Sequence, residues 1–365
     1  MAASVEWLPA LSSWVVTSRA LALAVARDPE LFTVEDRRMS VRAVLGANML
    51  TTDRPEQHRH RAPFARPFRR HEVHAGFTAC VEATATELVA SVAASGSADL
   101  RTALAAPLAL RTVARALGLE ASDSDAVLDW YAAFAEGMTA AAGGGVPSPR
   151  ARAALAAFGQ TVEEHLAADG SSLLHAVAGD PAHDLARDEL VSNAALIMFG
   201  GIETTESMIL NALWLLLGNR DQLALLRERP ELLENAIEES LRCEAAVASF
   251  ERFATRDTVL GGTAVRAGDA VTVLAGPANR DPSFFGVPDR FDITRPNARN
   301  HLAYAAGPHV CLGMHLARLE ARVAVATVLE ALPGVALDAA RSAPPRGLVF
   351  RKPETLVVRW ERVST

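Results

Sequence analysis

Cysteine, lysine and aromatic residues are scarce in this chain of 365 residues, and positive charge does not dominate it. The three cysteines, Cys80, Cys243 and Cys311, are widely spaced and odd in number. That excludes a disulfide framework and a paired-cysteine zinc site, and it suits a reducing cytoplasm. No stretch approaches about 18 uninterrupted apolar residues, so neither a membrane span nor an anchor is expected. The opening MAASVEWLPALSSW lacks the basic start and long apolar segment of a signal peptide. Basic residues number 36 against 43 acidic ones, a net −7 that argues against a nucleic-acid partner. Lys352 is the sole lysine, and with so much alanine this bias reads as codon preference. What the chain does have is apolar mass. Half of it is hydrophobic and 22% is charged, the balance of a folded protein able to enclose a large prosthetic group.

Periodicity predicts a mainly α (α+β) fold, one large helical domain over residues 1–365 with a minor antiparallel β lobe. Short strands are expected at Val5 to Leu8 and Trp14 to Thr17, then a helix over 19–27 and loop over 37–52. A basic helix starts at Arg54 and is interrupted by Pro63 and Pro67. Further helices are expected over 76–94, 98–117 and 123–168, the last broken at Gly143 to Gly145 and Pro147 to Pro149. The longest runs over 187–218, with Asp188 helping to cap its start, and another over 230–242. Alternation and Gly turns over 255–275 predict a small antiparallel sheet. Residues 281–310 are turn-rich, Gly313 to Leu332 form a final helix, and 346–360 close as a hairpin. The β lobe thus draws on about 5–17, 255–275 and 346–360.

Two stretches carry chemistry. In the first, Gly307-Pro308-His309-Val310-Cys311-Leu312-Gly313, a cysteine sits in a glycine-bearing loop just before an amphipathic helix. Amides at a helix start favour a thiolate and lower its pKa. Gly307 and Gly313 let the backbone pass close to something flat and large. In the second, Gly200-Gly201-Ile202-Glu203-Thr204-Thr205 interrupts a strongly apolar helix. Two adjacent mid-helix glycines cost about 1 kcal/mol each relative to alanine. Gly200 and Thr204 share a face at i and i+4, where the missing side chain leaves room for a small ligand. The Thr204 hydroxyl can bond back to the carbonyl of residue 200. A close helix crossing is the plainer use of such glycines.

The cysteine loop resembles the haem-binding loop of the cytochrome P-450 family, F-G-x-G-x-[RH]-x-C-x-G. It matches at Gly307, His309, Cys311 and Gly313, with Tyr304 in place of Phe and Ala305 in place of Gly. Ala305 asks that its backbone not need a positive φ. The helix resembles the family's [AG]-G-x-[DE]-T-[TS] motif at Gly200, Gly201, Glu203 and Thr204. The resemblance implies haem b between the long helix and the cysteine loop, with Cys311 as axial ligand and His309 on a propionate. Thiolate ligation pushes electron density toward the iron and favours O–O cleavage. Glu203 and Thr204 would deliver the protons the reaction consumes.

Weaker matches extend the resemblance. Glu239 and Arg242 form an E-x-x-R, with Arg290 of Pro288-Asp289-Arg290-Phe291 as the third member of a buried triad holding the cysteine loop. Arg252 and Arg61 match propionate-anchoring arginines. The histidine usual before Arg61 is replaced by Gln57, with His58 one step late, about 100° around a helix. The implied function is a soluble bacterial-type, cytoplasmic monooxygenase acting on a small or medium lipophilic molecule with O2, in a secondary-metabolism hydroxylation or epoxidation. A peroxide-driven oxidant and a non-catalytic haem-thiolate sensor are the alternatives. No reductase domain fits this length, so electrons are expected from NAD(P)H through a separate reductase and a ferredoxin. The expected docking face is near His315, Arg318 and Arg322. Substrate would be lined by 40–52, 131–165, 193–204 and 244–250.

Overall fold

The computed structural model describes residues 4–119, 124–168, 170, 172–180 and 184–361. The expected helix start at Asp123 lies outside them. Thirteen α-helices are described: α1 (Arg19–Arg27), α2 (Ser40–Leu45), α3 (Glu56–Ala65), α4 (Arg70–Ala93), α5 (Ala106–Leu117), α6 (Ser124–Ala142), α7 (Pro149–Ala167), α8 (Leu173–Ala178), α9 (Arg187–Gly218), α10 (Arg220–Glu228), α11 (Leu233–Cys243), α12 (Ala275–Asn279) and α13 (Met314–Ala331). Ten short strands accompany them: β1 (Val5–Leu8), β2 (Ser13–Val16), β3 (Phe32–Thr33), β4 (Ser97–Asp99), β5 (Ser249–Ala254), β6 (Thr258–Leu260), β7 (Thr263–Val265), β8 (Ala270–Leu274), β9 (Ala336–Leu337) and β10 (Val357–Arg359). Among the described residues, no helix is long and apolar enough to cross a membrane.

The 32-residue α9 is the spine. Leu190, Met198, Ile209, Leu213 and Leu216 are all buried, because the helix is apolar nearly all round and packs against α5, α7, α10, α11 and α13. Its start is held by Glu189, which accepts the Ala186 N–H at 2.9 Å. Asp188 lies in the first turn, where a carboxylate suits the helix dipole. Helices α4, α5 and α13 complete the main core around it.

The β lobe departs from expectation in direction and extent. Its five strands run β1-β2-β8-β5-β3, and β2 pairs with β8 in parallel, Ser13 opposite Ala270 and Val16 opposite Val273. Only the other pairings in this sheet are antiparallel. Val16, Val271 and Val273 bury their side chains against Ala22 and Val25 of α1. The tail does not close as a hairpin ladder. Arg346 and Lys352 make one isolated bridge, and β10 pairs instead with β4 and β9. Pro344, Pro345 and Pro353 lack the N–H a continuous ladder needs.

Three helical boundaries also differ. Residues expected as loop contain α2, which turns Val44 and Leu45 into the core. The stretch 98–117 divides into β4, a wide π-type turn at Arg101–Ala105, and α5. Pro107, at the start of α5, has no N–H for the preceding turn. Helix α3 continues through Pro63 and ends before Pro67.

Candidate active site

The cysteine loop is suspended between three helices. Cys311 donates its backbone N–H to the Tyr304 carbonyl at 3.0 Å, which closes the loop on itself. Gly307 has φ +72°, and a Cβ there would collide with the Ala26 carbonyl of α1. Ala305 also adopts a left-handed conformation, φ 56°, contrary to the expectation for a non-glycine residue. That conformation costs an L-residue about 1–2 kcal/mol. The Tyr304 hydroxyl contacts Met208 of α9 at 3.3 Å, and its ring lies under Arg318 of α13, 4.6 Å from the guanidinium carbon.

Cys311 is accessible although it lies deep among protein atoms, so its thiol opens onto an internal space. Burial pushes the thiol pKa up, against the lowering expected from the helix start. The N–H groups of Gly313 and Met314 and the charges of Arg61 and Arg318 oppose that rise. These are the groups that would favour a thiolate once a cation binds it.

Two ionic knots buttress the loop. In the first, Glu239 and Arg242 are fully buried, and Arg242 meets the carboxylate in bidentate fashion at 2.7 and 2.8 Å. The third member is Arg295, whose Nε lies 3.0 Å from Glu239. The expected Arg290 is exposed and contributes only its carbonyl, which accepts from both Arg242 and Arg295 at 3.0 Å. The chain turns after Phe291, and that turn brings Arg295 inward. Carbonyls of Asn279, Pro288, Gly286 and Val287 take the remaining arginine protons, so the knot gathers the whole 279–295 segment.

In the second knot, Glu238 accepts from His301 at 3.1 Å and from Arg318 at 2.6 and 3.0 Å. Burial alone would raise its pKa, but these bonds hold it down at about 2. Burial drives His301 toward its neutral form, so Arg318 supplies the charge.

Helix α3 clamps the loop from the other side. Gln57 and Arg61, at i and i+4, share a face and donate to the Pro308 and Val310 carbonyls, each at 2.8 Å. His58 is exposed one step round the helix and takes no part. His309 is buried, its Nε2 3.0 Å from Asp53, while its Nδ1 has no partner. Arg252 is 4% exposed and bonds only the neighbouring Glu251 carbonyl, with no carboxylate in ion-pair contact among the described residues. Burial pushes its pKa down to about 10, partly opposed by Asp53. A buried guanidinium without a carboxylate and an unpartnered imidazole nitrogen fit an anionic group.

The adjacent glycines of α9 have different surroundings. A Cβ on Gly201 would lie 2.7 Å from Val113 Cγ2, so Gly201 permits the close crossing of α5 and α9. A Cβ on Gly200 would meet nothing within 4 Å, so this glycine opens onto space. One turn on, the Thr204 hydroxyl donates to the Gly200 carbonyl, as expected. Glu203 is occupied at both oxygens. The Tyr131 hydroxyl of α6 donates to one, and the Lys352 ammonium lies 3.2 Å from the other. Tyr131 stacks on Phe199 with centroids 5.2 Å apart, and Phe199 in turn meets Phe350 at 6.0 Å.

On the opposite face, His315 and Arg322 line a cleft of about 210 Å³ together with Arg70, His74 and Arg299. Arg299 is paired with Glu234 at 2.8 Å. Arg318 borders the cleft, but its charge is answered by Glu238. Burial and the neighbouring Arg318, Arg70 and His74 lower the His315 pKa, so this residue adds little charge at neutral pH.

Arg295, Asp53 and Lys352 were not expected in the site, and Tyr131, expected only within a substrate-lining segment, is a partner of Glu203. Tyr131 and Tyr304 are the only tyrosines of the chain, and Lys352 the only lysine; their rarity was the available signal.

A sequence model of the family described as Cytochrome P-450 matches residues 169–334. The monooxygenase PikC of Streptomyces venezuelae is 35% identical over 96% of this chain and 85% of its own length. The 6-deoxyerythronolide B hydroxylase of Saccharopolyspora erythraea is 34% identical, over 88% of this chain and 80% of its own length. Among solved structures, P450BioI in complex with a fatty-acid-ligated acyl carrier protein superposes with a TM-score of 0.87 at 30% identity. That match covers 96% of this chain and 92% of the other. CalO2 gives 0.87 at 32%, covering 98% and 93%.

Proposed function

This chain belongs to the cytochrome P-450 family, and we propose that the Cys311 thiolate would hold the iron of its haem. The protein is a haem monooxygenase that uses O2 and electrons from a redox partner. The residues present suit that group. An accessible thiol lies deep in the protein, the Gly200 side of α9 is open, and the buried Arg252 and His309 are ready for propionates. When bound, haem supplies the activation of dioxygen, and a thiolate ligand favours O–O cleavage.

The protein's own residues supply the rest. Arg252 and His309 would hold the propionates, while Gln57 and Arg61 fix the carbonyls on either side of His309. Gly200 leaves space for oxygen, and Glu203 with Thr204 holds and passes protons. The presence of this acid–hydroxyl pair favours dioxygen over peroxide as the oxidant. The aromatic contacts of Phe199 on α9 with Tyr131 and Phe350, and the small apolar run Ala245 to Ala248, suit a lipophilic secondary metabolite. Electrons come from NAD(P)H through a separate reductase and a ferredoxin in the cytoplasm. The ferredoxin docks at the cleft of Arg70, His74 and Arg322, with Arg318 serving as a strut beneath it.

The observation that carries this reading is the acid–hydroxyl turn of α9 beside an open glycine. Thr204→Ala tests it. Reductant use should uncouple from product formation, with most of the electrons ending in peroxide or water. Unchanged coupling contradicts the assignment.

A further inference from the structure

We propose that Lys352 supplies protons to Glu203. This deepens the reading of Glu203 and Thr204 as the delivery pair and rests on it. Lys352 acts through Glu203 and is a positioning residue, remote from the reacting atoms.

The first observation is one of composition. Every other basic side chain of the Lys/Arg type is arginine. Arginine does not give up its proton in proteins, whereas lysine does when its surroundings change. The one lysine of the chain lies where a transferable proton would matter.

The second observation is placement. The Lys352 ammonium is 3.2 Å from Glu203 and 2.9 Å from Glu206, one turn further along α9. Glu206 is buried and also takes Arg101 Nε at 2.7 Å, and the Arg101 side chain is 41% exposed. The exposed Arg101 places Glu206 at the solvent edge, and Lys352 lies between Glu206 and the acid beside Thr204.

The third observation is that this placement is built. Lys352 and Arg346 exchange both backbone hydrogen bonds, at 3.0 and 3.1 Å. The neighbouring Arg351 carbonyl accepts from Asn211 of α9 at 2.8 Å. The tail is thereby pinned to the helix that carries the acid. The other partner of Glu203, Tyr131, is a poor proton source, because burial and the Glu203 charge push its ionisation far up.

An N–H bond of the Lys352 ammonium breaks as an O–H bond forms on the Glu203 carboxylate, leaving a neutral amine and a carboxylic acid. Glu203 passes the proton on toward Thr204 and is again a carboxylate. The amine regains a proton from solvent water by way of Glu206. No electrons move, and one solvent proton is delivered per cycle.

The test compares Lys352→Arg, Lys352→Gln and Glu203→Gln in the haem-loaded protein. The readouts are the melting temperature and the proton-consuming phase of stopped-flow turnover, started by mixing reduced protein with dioxygen in H2O and in D2O. Lys352→Arg keeps the positive charge, so it should melt within a few degrees of the natural protein. Its proton-consuming phase should nevertheless slow at least tenfold, with a larger solvent isotope effect. Lys352→Gln should slow equally, so the expectation stands even where one variant folds poorly. Natural rate and isotope effect in either folded Lys352 variant would overturn the proposal and leave Lys352 as an electrostatic clamp. Glu203→Gln separates the two levels. If it slows the phase and the Lys352 variants do not, only the role of Lys352 falls. If it too is without effect, the delivery pair itself is misassigned.

Discussion

Two clusters of carboxylates and cations flank the site, and they are built to opposite ends. Beneath the cysteine loop, Glu239, Arg242 and Arg295 are 0%, 0% and 7% exposed, and backbone carbonyls take up the arginine protons the carboxylate leaves over. Beside the opening at Gly200, Glu203, Glu206, Lys352 and Arg101 range from 5% to 41% exposed, and one of the cations is a lysine. The first arrangement fixes a loop, because every charge is answered inside the protein and almost no solvent reaches it. The second touches both water and the site, which is the placement the proposed proton supply through Lys352 requires. Burial, saturation of donors and a lysine in place of arginine separate the strut from the proposed relay.

The largest effect that would sharpen this contrast is expected at the buried knot. Glu239→Gln leaves two arginines without a buried carboxylate and should cost about 3–5 kcal/mol. Glu203→Gln, at a half-buried pair, should cost about 1 kcal/mol or less. Denaturant titration of both variants checks the difference, and equal losses would erase the distinction.

Next in size is the acid limb of stability. The Glu238 pKa is depressed, so its contribution is fully present above the ordinary carboxylate value and is lost as pH falls through about 2. A shift of that size corresponds to about 3 kcal/mol. Stability measured from pH 5 downward should fall less steeply in Glu238→Gln, which starts from a lower value. Parallel curves would mean that the carboxylate is not held by Arg318.

Smaller and opposite in sign are the two glycines. Gly201→Ala presses on Val113 and should destabilise by about 1–3 kcal/mol. Gly200→Ala meets open space and should gain up to about 1 kcal/mol from helix propensity, while turnover falls as the opening fills. Thermal melts of the pair give the signs directly.

The parts of the molecule legible in sequence were those whose chemistry is contiguous. The cysteine loop and the glycine–acid–hydroxyl turn each fit in a dozen residues, and α9 is bounded as its apolar run suggests. Where the choice lay between neighbours, a bend or a turn of helix decided it. Arg295 replaces Arg290 because of the path after Phe291, and Gln57 faces the loop while His58, one step on, faces solvent. Gly200 and Gly201 were inseparable without Val113, which lies on another helix. Lys352 was visible as a rarity, but its meaning depends on a tail folding back onto α9 from about 150 residues away in the chain. The parallel pairing of β2 with β8 joins opposite ends of the sequence, and local alternation carries no sign of direction.

The most direct measurement is the absorption spectrum of the reduced protein under carbon monoxide, for the natural protein and for Cys311→Ser. Thiolate ligation predicts a strongly red-shifted band in the natural protein and its loss in the variant. Retention of that band with serine at position 311 would contradict Cys311 as the ligand, and with it the reading of the site built around it.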